Sequence, residues 1–257
     1  MTPEKRCVKA AFSQAQQYDS AALVQAEIAR RLARKMTARF AVAPARILEI
    51  GCGTGLLSQH LAAAFTAAEL TLTDISPMML ERCQARLGAG PTYVAMDGEA
   101  PEGVAGPFDL IASSLALQWF TDLPESIGRL TRLLAPEGRM MFATLGRDSF
   151  KEWRHAHAAL GLPCGLHDYP GAGDFPLPSS VTARIEEETI TAHYASGQAF
   201  ARALKTLGAA TPRFGHHPLP AGSFRKLLAM VNGAFSVSYH ILYVEIAKDG
   251  MEESSRF

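Results

Sequence analysis

A chain of 257 residues with formal net charge +0 and 48% hydrophobic residues has the composition of a globular protein with a sizeable core. Balanced charge argues against a nucleic-acid-coating protein, and no apolar run approaches the roughly 18 residues of a membrane span, so neither nucleic acid nor membrane is an expected partner. Met1 to Ala10 is polar and has no signal-peptide core, so the expected compartment is the cytoplasm.

Residues 1–14 read as a tail. From Asp19 or Ser20 to Arg39, Leu23, Ala26, Ala29, Leu32 and Met36 recur at helical spacing, with Arg30, Arg31, Arg34, Lys35 and Arg39 largely on other faces. Arg46 to Ile50 is a short apolar run of the kind that forms a buried parallel strand, and Gly51, Gly53 and Gly55 follow at once. A helical pattern then carries Leu57, Leu61, Ala64 and Phe65 on one face. Strand, glycine loop and helix are expected to place free backbone N–H groups and the positive end of a helix at a strand tip, close to an elongated cofactor.

Spacing narrows that cofactor. A dinucleotide fingerprint needs its third glycine at position 56, which is Leu56, and no Lys-Ser or Lys-Thr pair completes a phosphate loop. What stands is Glu49-x-Gly51-x-Gly53-x-Gly55, an acid on the strand followed by alternating glycines. This pattern resembles motif I of the class I S-adenosylmethionine-dependent methyltransferases. A carboxylate suits a ligand with a cationic ammonium and sulfonium and no phosphate.

Glu69 to Asp74 reads as the second strand, and Asp74 at its tip is the first choice for holding a ribose diol. Ser76-Pro77 suits a helix start, and of Met78 and Met79 one is expected against adenine and the other in the core. Thr92 to Met96 is the third strand; Asp97, beside Gly98 and Glu99, is the candidate acceptor for the adenine amine. Phe108 to Ser113 is the fourth strand, and the segment Ser114 to Trp119, with Gln118, continues past its end. A helix from about Pro124 to Ala135 is expected to stop at Pro136-Glu137-Gly138, before a fifth strand from Arg139 to Leu145.

Beyond Leu145 the alternation changes. Phe150 to Leu160 reads as a helix, and residues 161–180, with four prolines and four glycines, as an extended excursion. Ala183 to Tyr194 reads as a strand, Gln198 to Leu207 as a helix, and Phe235 to Ala247 as a long strand alternating at Val237, Tyr239, Ile241, Tyr243 and Glu245. The fold expected is a three-layer α/β/α sandwich, a Rossmann-like methyltransferase with a seven-stranded, mostly parallel sheet and an antiparallel last strand. It would be a single domain over 1–257, with lid elements at about 148–180 and 197–232. Cys7, Cys52, Cys83 and Cys164 form no C-x-x-C pair, so neither a disulfide framework nor a metal site is expected.

Three further segments sharpen the resemblance. Ala15 to Gln25, containing Tyr18 and Asp19, Ser113 to Trp119 with Asp122-Leu-Pro, and Leu204 to Ala209 resemble, in this order, the malonyl-[acyl-carrier protein] O-methyltransferase family. The likeness covers about residues 12–247; Thr206 and Leu207 depart from it. It implies methyl transfer from S-adenosylmethionine to the free carboxylate of malonyl-acyl carrier protein, or of malonyl-CoA, at the entry to pimeloyl and biotin synthesis. The implied cofactor contacts are Glu49, Gly51, Cys52, Gly53, Gly55, Asp74, Ile75, Met79, Asp97, Gly98, Glu99 and Ser113. Candidates for the acyl end are Tyr18, Gln118, Trp119 and Lys205.

A carboxylic acid is ionised at pH 7, so no general base is needed, and His155, His157, His216 and His217 read as surface or lid residues. An acidic carrier protein would meet a basic face, either among Arg129, Arg132, Arg139, Arg147, Lys151 and Arg154 or on the Arg30 to Arg39 helix. A small-molecule O- or C-methyltransferase and a non-catalytic S-adenosylmethionine-binding module are the alternatives.

Overall fold

Short apolar and β-branched runs alternating with helices from residue 46 onward set the architecture, in a computed structural model that describes residues 3–13, 22–179, 181–207, 212–213 and 215–247. Helices α1 (Pro3–Ser13) and α2 (Leu23–Arg39) precede β1 (Arg46–Ile50), α3 (Ser58–Ala64), β2 (Glu69–Asp74), α4 (Pro77–Leu87) and β3 (Thr92–Ala95). Then come β4 (Phe108–Ser114), α5 (Leu123–Thr131), β5 (Leu134–Leu145), α6 (Lys151–Ala159), β6 (Ala183–Tyr194), α7 (Gly197–Thr206), α8 (Ala221–Met230) and β7 (Phe235–Ala247). The seven strands form one sheet in the order β3-β2-β1-β4-β5-β7-β6. Neighbours from β3 to β5 pair in parallel, and the last strands are antiparallel. Strand order reverses between β1 and β4, the kind of switch point beyond whose carboxyl tips open α/β sheets bind their ligands. No helix among the described residues is long and apolar enough to cross a membrane.

Four local differences from the sequence reading have physical causes. Residues 3–13 are helical rather than a tail, since Pro3 occupies the first helical position and nothing after it breaks the helix. Helix α5 ends at Thr131, and Pro136-Glu137-Gly138 lies inside β5 as a bulge. Phe108 pairs with Leu134, but Leu110 pairs with Arg139, so the residues around Pro136, which has no N–H for the ladder, are looped out. Strand β7 does not alternate: Val237 to Val244 are all buried, because the strand lies between β5 and β6 and has both faces covered. Helix α8 was not anticipated. The expected helix start at Asp19 or Ser20 falls outside the described residues.

The chain divides into two compact units, one from parts of 1–24 with 145–174 and 187–242, the other from 25–144, 175–186 and the described part of 243–257. In the second, α2 buries Ile28, Ala29, Leu32 and Met36. Three of its cations pair with distant carboxylates: Lys35 with Glu186, and both Arg39 and Arg139 with Glu245. The first unit is built on rings, with Phe150 4.9 Å from Tyr239 and Trp153 5.5 Å from Phe200 between centroids. Two of its histidines are interior rather than superficial. His157 is buried with Nδ1 2.8 Å from the Trp153 carbonyl, and burial lowers its pKa. His240 sits with Nε2 2.8 Å from Glu187 Oε2.

Candidate cofactor and acceptor site

Strand β1 carries a carboxylate where four of five residues are buried. Glu49 is 1% exposed between β2 and β4, and its Oε2 has no hydrogen-bond partner. Burial pushes its carboxyl up to about 8, against the Ser58 hydrogen bond, which acts to lower it. A buried acceptor with an unused oxygen is costly unless a donor or cation reaches it, so the site is chemically suited to a positively charged group.

The chain leaves β1 through three left-handed glycines, at φ 68° for Gly51, 54° for Gly53 and 86° for Gly55. A side chain at Gly51 would run into Ala116, with Cβ atoms 2.4 Å apart, so its absence lets the segment after β4 approach the tip of β1. Gly53 faces open space with nothing within 4 Å of a Cβ, which leaves room for a ligand against the main chain. The loop's donors, however, are not free as expected. Cys52 N–H donates to the Thr73 carbonyl at 2.8 Å, Gly53 N–H to Asp74 Oδ2 at 2.9 Å, and Gly55 N–H to the Cys52 carbonyl at 2.9 Å. Helix α3 begins only at Ser58. This turn offers clearance and an acid rather than a cradle of N–H groups, the reverse of what a phosphate needs.

Asp74 ends β2 beside that turn. Its Oδ2 accepts from Gly53 N–H and its Oδ1 from Ser76 N–H at 2.8 Å, leaving about half of the carboxylate's lone-pair sites for a diol. Burial raises its pKa to about 6, although both N–H bonds lower it. Ser76 precedes Pro77 as expected, yet its side chain does not cap α4. Met79 is packed in the core and Met78 is 44% exposed, so the open methionine is Met78 rather than Met79. Ile75 is half-buried next to Asp74.

The loop after β3 is tied inward. Asp97 Oδ1 accepts from Glu99 N–H at 3.0 Å, and the Glu99 carboxylate accepts from Thr121 N–H. Gly98 packs where a Cβ would lie 2.6 Å from Ile50 and 2.8 Å from Phe120. Glu99 therefore anchors the segment after β4 and Asp97 shapes the turn. The Ser113 hydroxyl donates to the Ile50 carbonyl at 2.8 Å, which fixes β4 against the tip of β1. Cys52 is a buried free thiol within the glycine turn.

On the acceptor side, Gln118 and Trp119 lie in one 3-10 turn, Leu117–Trp119, just past β4. Thr144 Oγ1 donates to Gln118 Oε1 at 3.3 Å, which links the tips of β4 and β5. Lys205 is exposed near the end of α7, in the other compact unit, and Tyr18 falls outside the described residues. Thr144, Ser58 and Thr73, whose Oγ1 donates to the Glu49 carbonyl at 2.7 Å, are parts of the site that no motif announces.

A methyltransferase domain model matches residues 47–138, the span that holds the tips of β1 to β4. The chain is 42% identical over 243 residues to the biotin biosynthesis bifunctional protein of Bordetella avium, covering 94% of this chain and 52% of that one, so it spans about half of that relative. It is 41% identical over 240 residues to the malonyl-[acyl-carrier protein] O-methyltransferase of Magnetococcus marinus, covering 90% of this chain and 88% of that one. Among solved structures, the YcgJ protein of Bacillus subtilis superposes with TM-score 0.59 at 15% identity, covering 86% of this chain and 100% of that one. The N-methyltransferase NodS of Bradyrhizobium japonicum, solved with S-adenosyl-L-homocysteine, superposes at 0.51 and 19% identity, covering 87% of each. Both share the fold. With that identity sustained across nine-tenths of the chain and the acid and glycines of the β1 turn built as described, the chain belongs to the malonyl-[acyl-carrier protein] O-methyltransferase family.

Proposed function

We propose that this protein methylates the free carboxylate of a malonyl group carried on acyl carrier protein, forming a methyl ester at the entry to pimeloyl and biotin synthesis, with S-adenosylmethionine as cofactor. The observation that carries the cofactor reading is the buried, unpartnered Glu49 Oε2 beneath a glycine turn in which the N–H groups of Cys52, Gly53 and Gly55 are already used. That pairing selects a cationic ligand without phosphate. Glu49 would face the ammonium, Asp74 the ribose diol, and the open side of Gly53 the body of the cofactor between them. Asp97 and Met78 border the adenine end.

When bound, the cofactor supplies an electrophilic methyl group on a sulfonium. The acceptor carboxylate is already ionised at neutral pH, so the protein holds no proton-transfer duty. Its work is alignment and the exclusion of water from the attacking oxygen. Gln118 and Trp119, fixed by the bond from Thr144, lie past β4 where they can orient the acceptor, and Lys205 and Tyr18 are the candidates to hold the acyl carboxylate. The test is incubation with methyl-labelled S-adenosylmethionine and malonyl-carrier protein, malonyl-CoA or free malonate. Base-labile methyl ester on the carrier-borne substrate is the expected product, and no transfer to any malonyl thioester would overturn the reading.

A further inference from the structure

From residue 189 to residue 244 the chain contains no aspartate or glutamate, yet it carries Arg202, Lys205, Arg213, Arg225 and Lys226. In a protein of formal net charge +0, so one-sided a stretch concentrates positive potential on whatever surface it forms. In the fold, Arg213 pairs with Asp168 at 3.3 Å. Arg202 and Lys205 on α7, and Arg225 and Lys226 on α8, are exposed and form no ion pair or hydrogen bond with any described residue.

Both helices belong to the same compact unit and meet end to end, with Gly197 N–H donating to the Val231 carbonyl at 2.9 Å. Helix α7 turns Phe200 and Leu204 inward and α8 turns Leu227 inward, so the cations occupy the remaining faces. Next to Arg225 and Lys226 the same helix leaves Phe224 38% and Met230 52% exposed. Large apolar side chains beside unpaired cations are the makings of a protein interface rather than of a solvated basic face. In the basic stretches that stand out in sequence most cations are instead paired, with Arg34, Arg132 and Lys151 the exposed exceptions. Arg30 and Arg31 pair with Glu27, Lys35 with Glu186, Arg129 with Glu125, Arg147 with Asp174, and Arg154 with Asp168.

We propose that the exposed face of α7 and α8 is the docking surface for an acidic partner protein, the carrier that delivers the acyl substrate. The assignment rests on the methyl-transfer reading above. Arg202, Arg225 and Lys226 would meet carboxylates on the carrier, while Phe224 and Met230 cover its apolar contacts. Nucleic acid is disfavoured, because these apolar groups would find no matching surface on a phosphate backbone.

The test uses the full chain with the double substitution Arg225→Glu and Lys226→Glu, neither residue being part of the cofactor or acceptor site. Binding of fluorescently labelled holo-acyl carrier protein, followed by anisotropy at low salt, should weaken roughly tenfold or more. The wild-type affinity should fall steeply with added salt, and that of the variant only slightly. Cofactor affinity and melting temperature should be unchanged, which excludes misfolding. A wild type and a variant that bind the carrier equally would overturn the docking surface and leave the methyl-transfer reading intact. A wild type that neither binds the carrier nor methylates any malonyl thioester would overturn that reading instead. Tighter binding to single-stranded DNA than to the carrier, lost equally in the variant, would make this a general polyanion surface and also overturn the proposal.

Discussion

Replacing Glu49 with glutamine separates two effects that the buried carboxylate exerts in opposite directions. Burial holds Glu49 at about 8, so at pH 7 about one molecule in ten carries the charge. A cationic ligand against Oε2 needs the ionised form, and expelling the proton first costs about 1.4 kcal/mol at pH 7 and about 2.7 kcal/mol at pH 6. The apparent dissociation constant for S-adenosylmethionine should therefore fall about tenfold per pH unit between pH 6 and 7.5, below the range where the ligand's own ammonium titrates. In the glutamine variant this slope should disappear, leaving weaker binding and only the shallow contribution of Asp74, which burial holds at about 6.

Stability should move the other way. The folded value lies above the ordinary 4.5, so the folded protein holds an extra proton between pH 4.5 and about 8, and stability is lost as pH rises through that window. Each pH unit of it costs on the order of 1.4 kcal/mol. The glutamine variant escapes this loss and should melt higher than wild type at pH 8, with little difference at pH 5. Isothermal titration across pH 6 to 7.5 and scanning calorimetry at the two extremes read both effects. Parallel affinity slopes for the two proteins would refute the reasoning, as would equal melting temperatures at pH 8.

Asp74→Ala removes the acceptor of both the Gly53 and Ser76 N–H groups and should weaken cofactor binding by about 1–3 kcal/mol; unchanged affinity in calorimetry would reject its role. Gly51→Ala places a side chain at φ 68°, costing about 1–2 kcal/mol, and brings it against Ala116 Cβ at 2.4 Å. Adding Ala116→Gly should recover the clash but not the backbone strain, read as a partial return of the urea midpoint. Glu245→Gln leaves Arg39 and Arg139 without their shared carboxylate and should cost about 1–2 kcal/mol in chemical denaturation, the ion pairs being only partly buried.

The parallel half of the sheet was legible because local rules governed it. A buried strand, an abrupt glycine turn and an acid at the next tip are each set within a few residues of chain, and Glu49, Gly51 to Gly55 and Asp74 meet as read. Most of the misreadings share one physical root, which is that the deciding neighbour lies far away in sequence. Whether the glycine turn keeps free N–H groups depends on Thr73 and Asp74 reaching back to it. Strand β7 loses its alternation because, as an interior strand of the sheet, it is buried on both faces. Pro136 sits in a bulge because Leu134 and Arg139 must pair with Phe108 and Leu110.

Charge obeys the same logic and decides where a partner can dock. Basic helix faces in a sequence are only candidates, since Lys35 finds Glu186 across 151 positions and Arg139 finds Glu245 across 106. Those long-range carboxylates, with the local pairs to Glu27 and Glu125, take up most of the cations that a count of nearby residues singles out. An acid-free run is a different signal. Over residues 189–244 no carboxylate is close in sequence, so every cation there must either reach a distant acid, as Arg213 reaches Asp168, or stay unpaired. Helices α7 and α8 place Arg202, Lys205, Arg225 and Lys226 in the second condition, and α8 leaves Phe224 and Met230 exposed as well. Unpaired charge costs a folded protein little in water, but without opposing acids it keeps its full attraction for an acidic partner. That makes α7 and α8, where four exposed cations accompany exposed Phe224 and Met230, a better docking surface than the richer run of arginines after α5, most of which are paired.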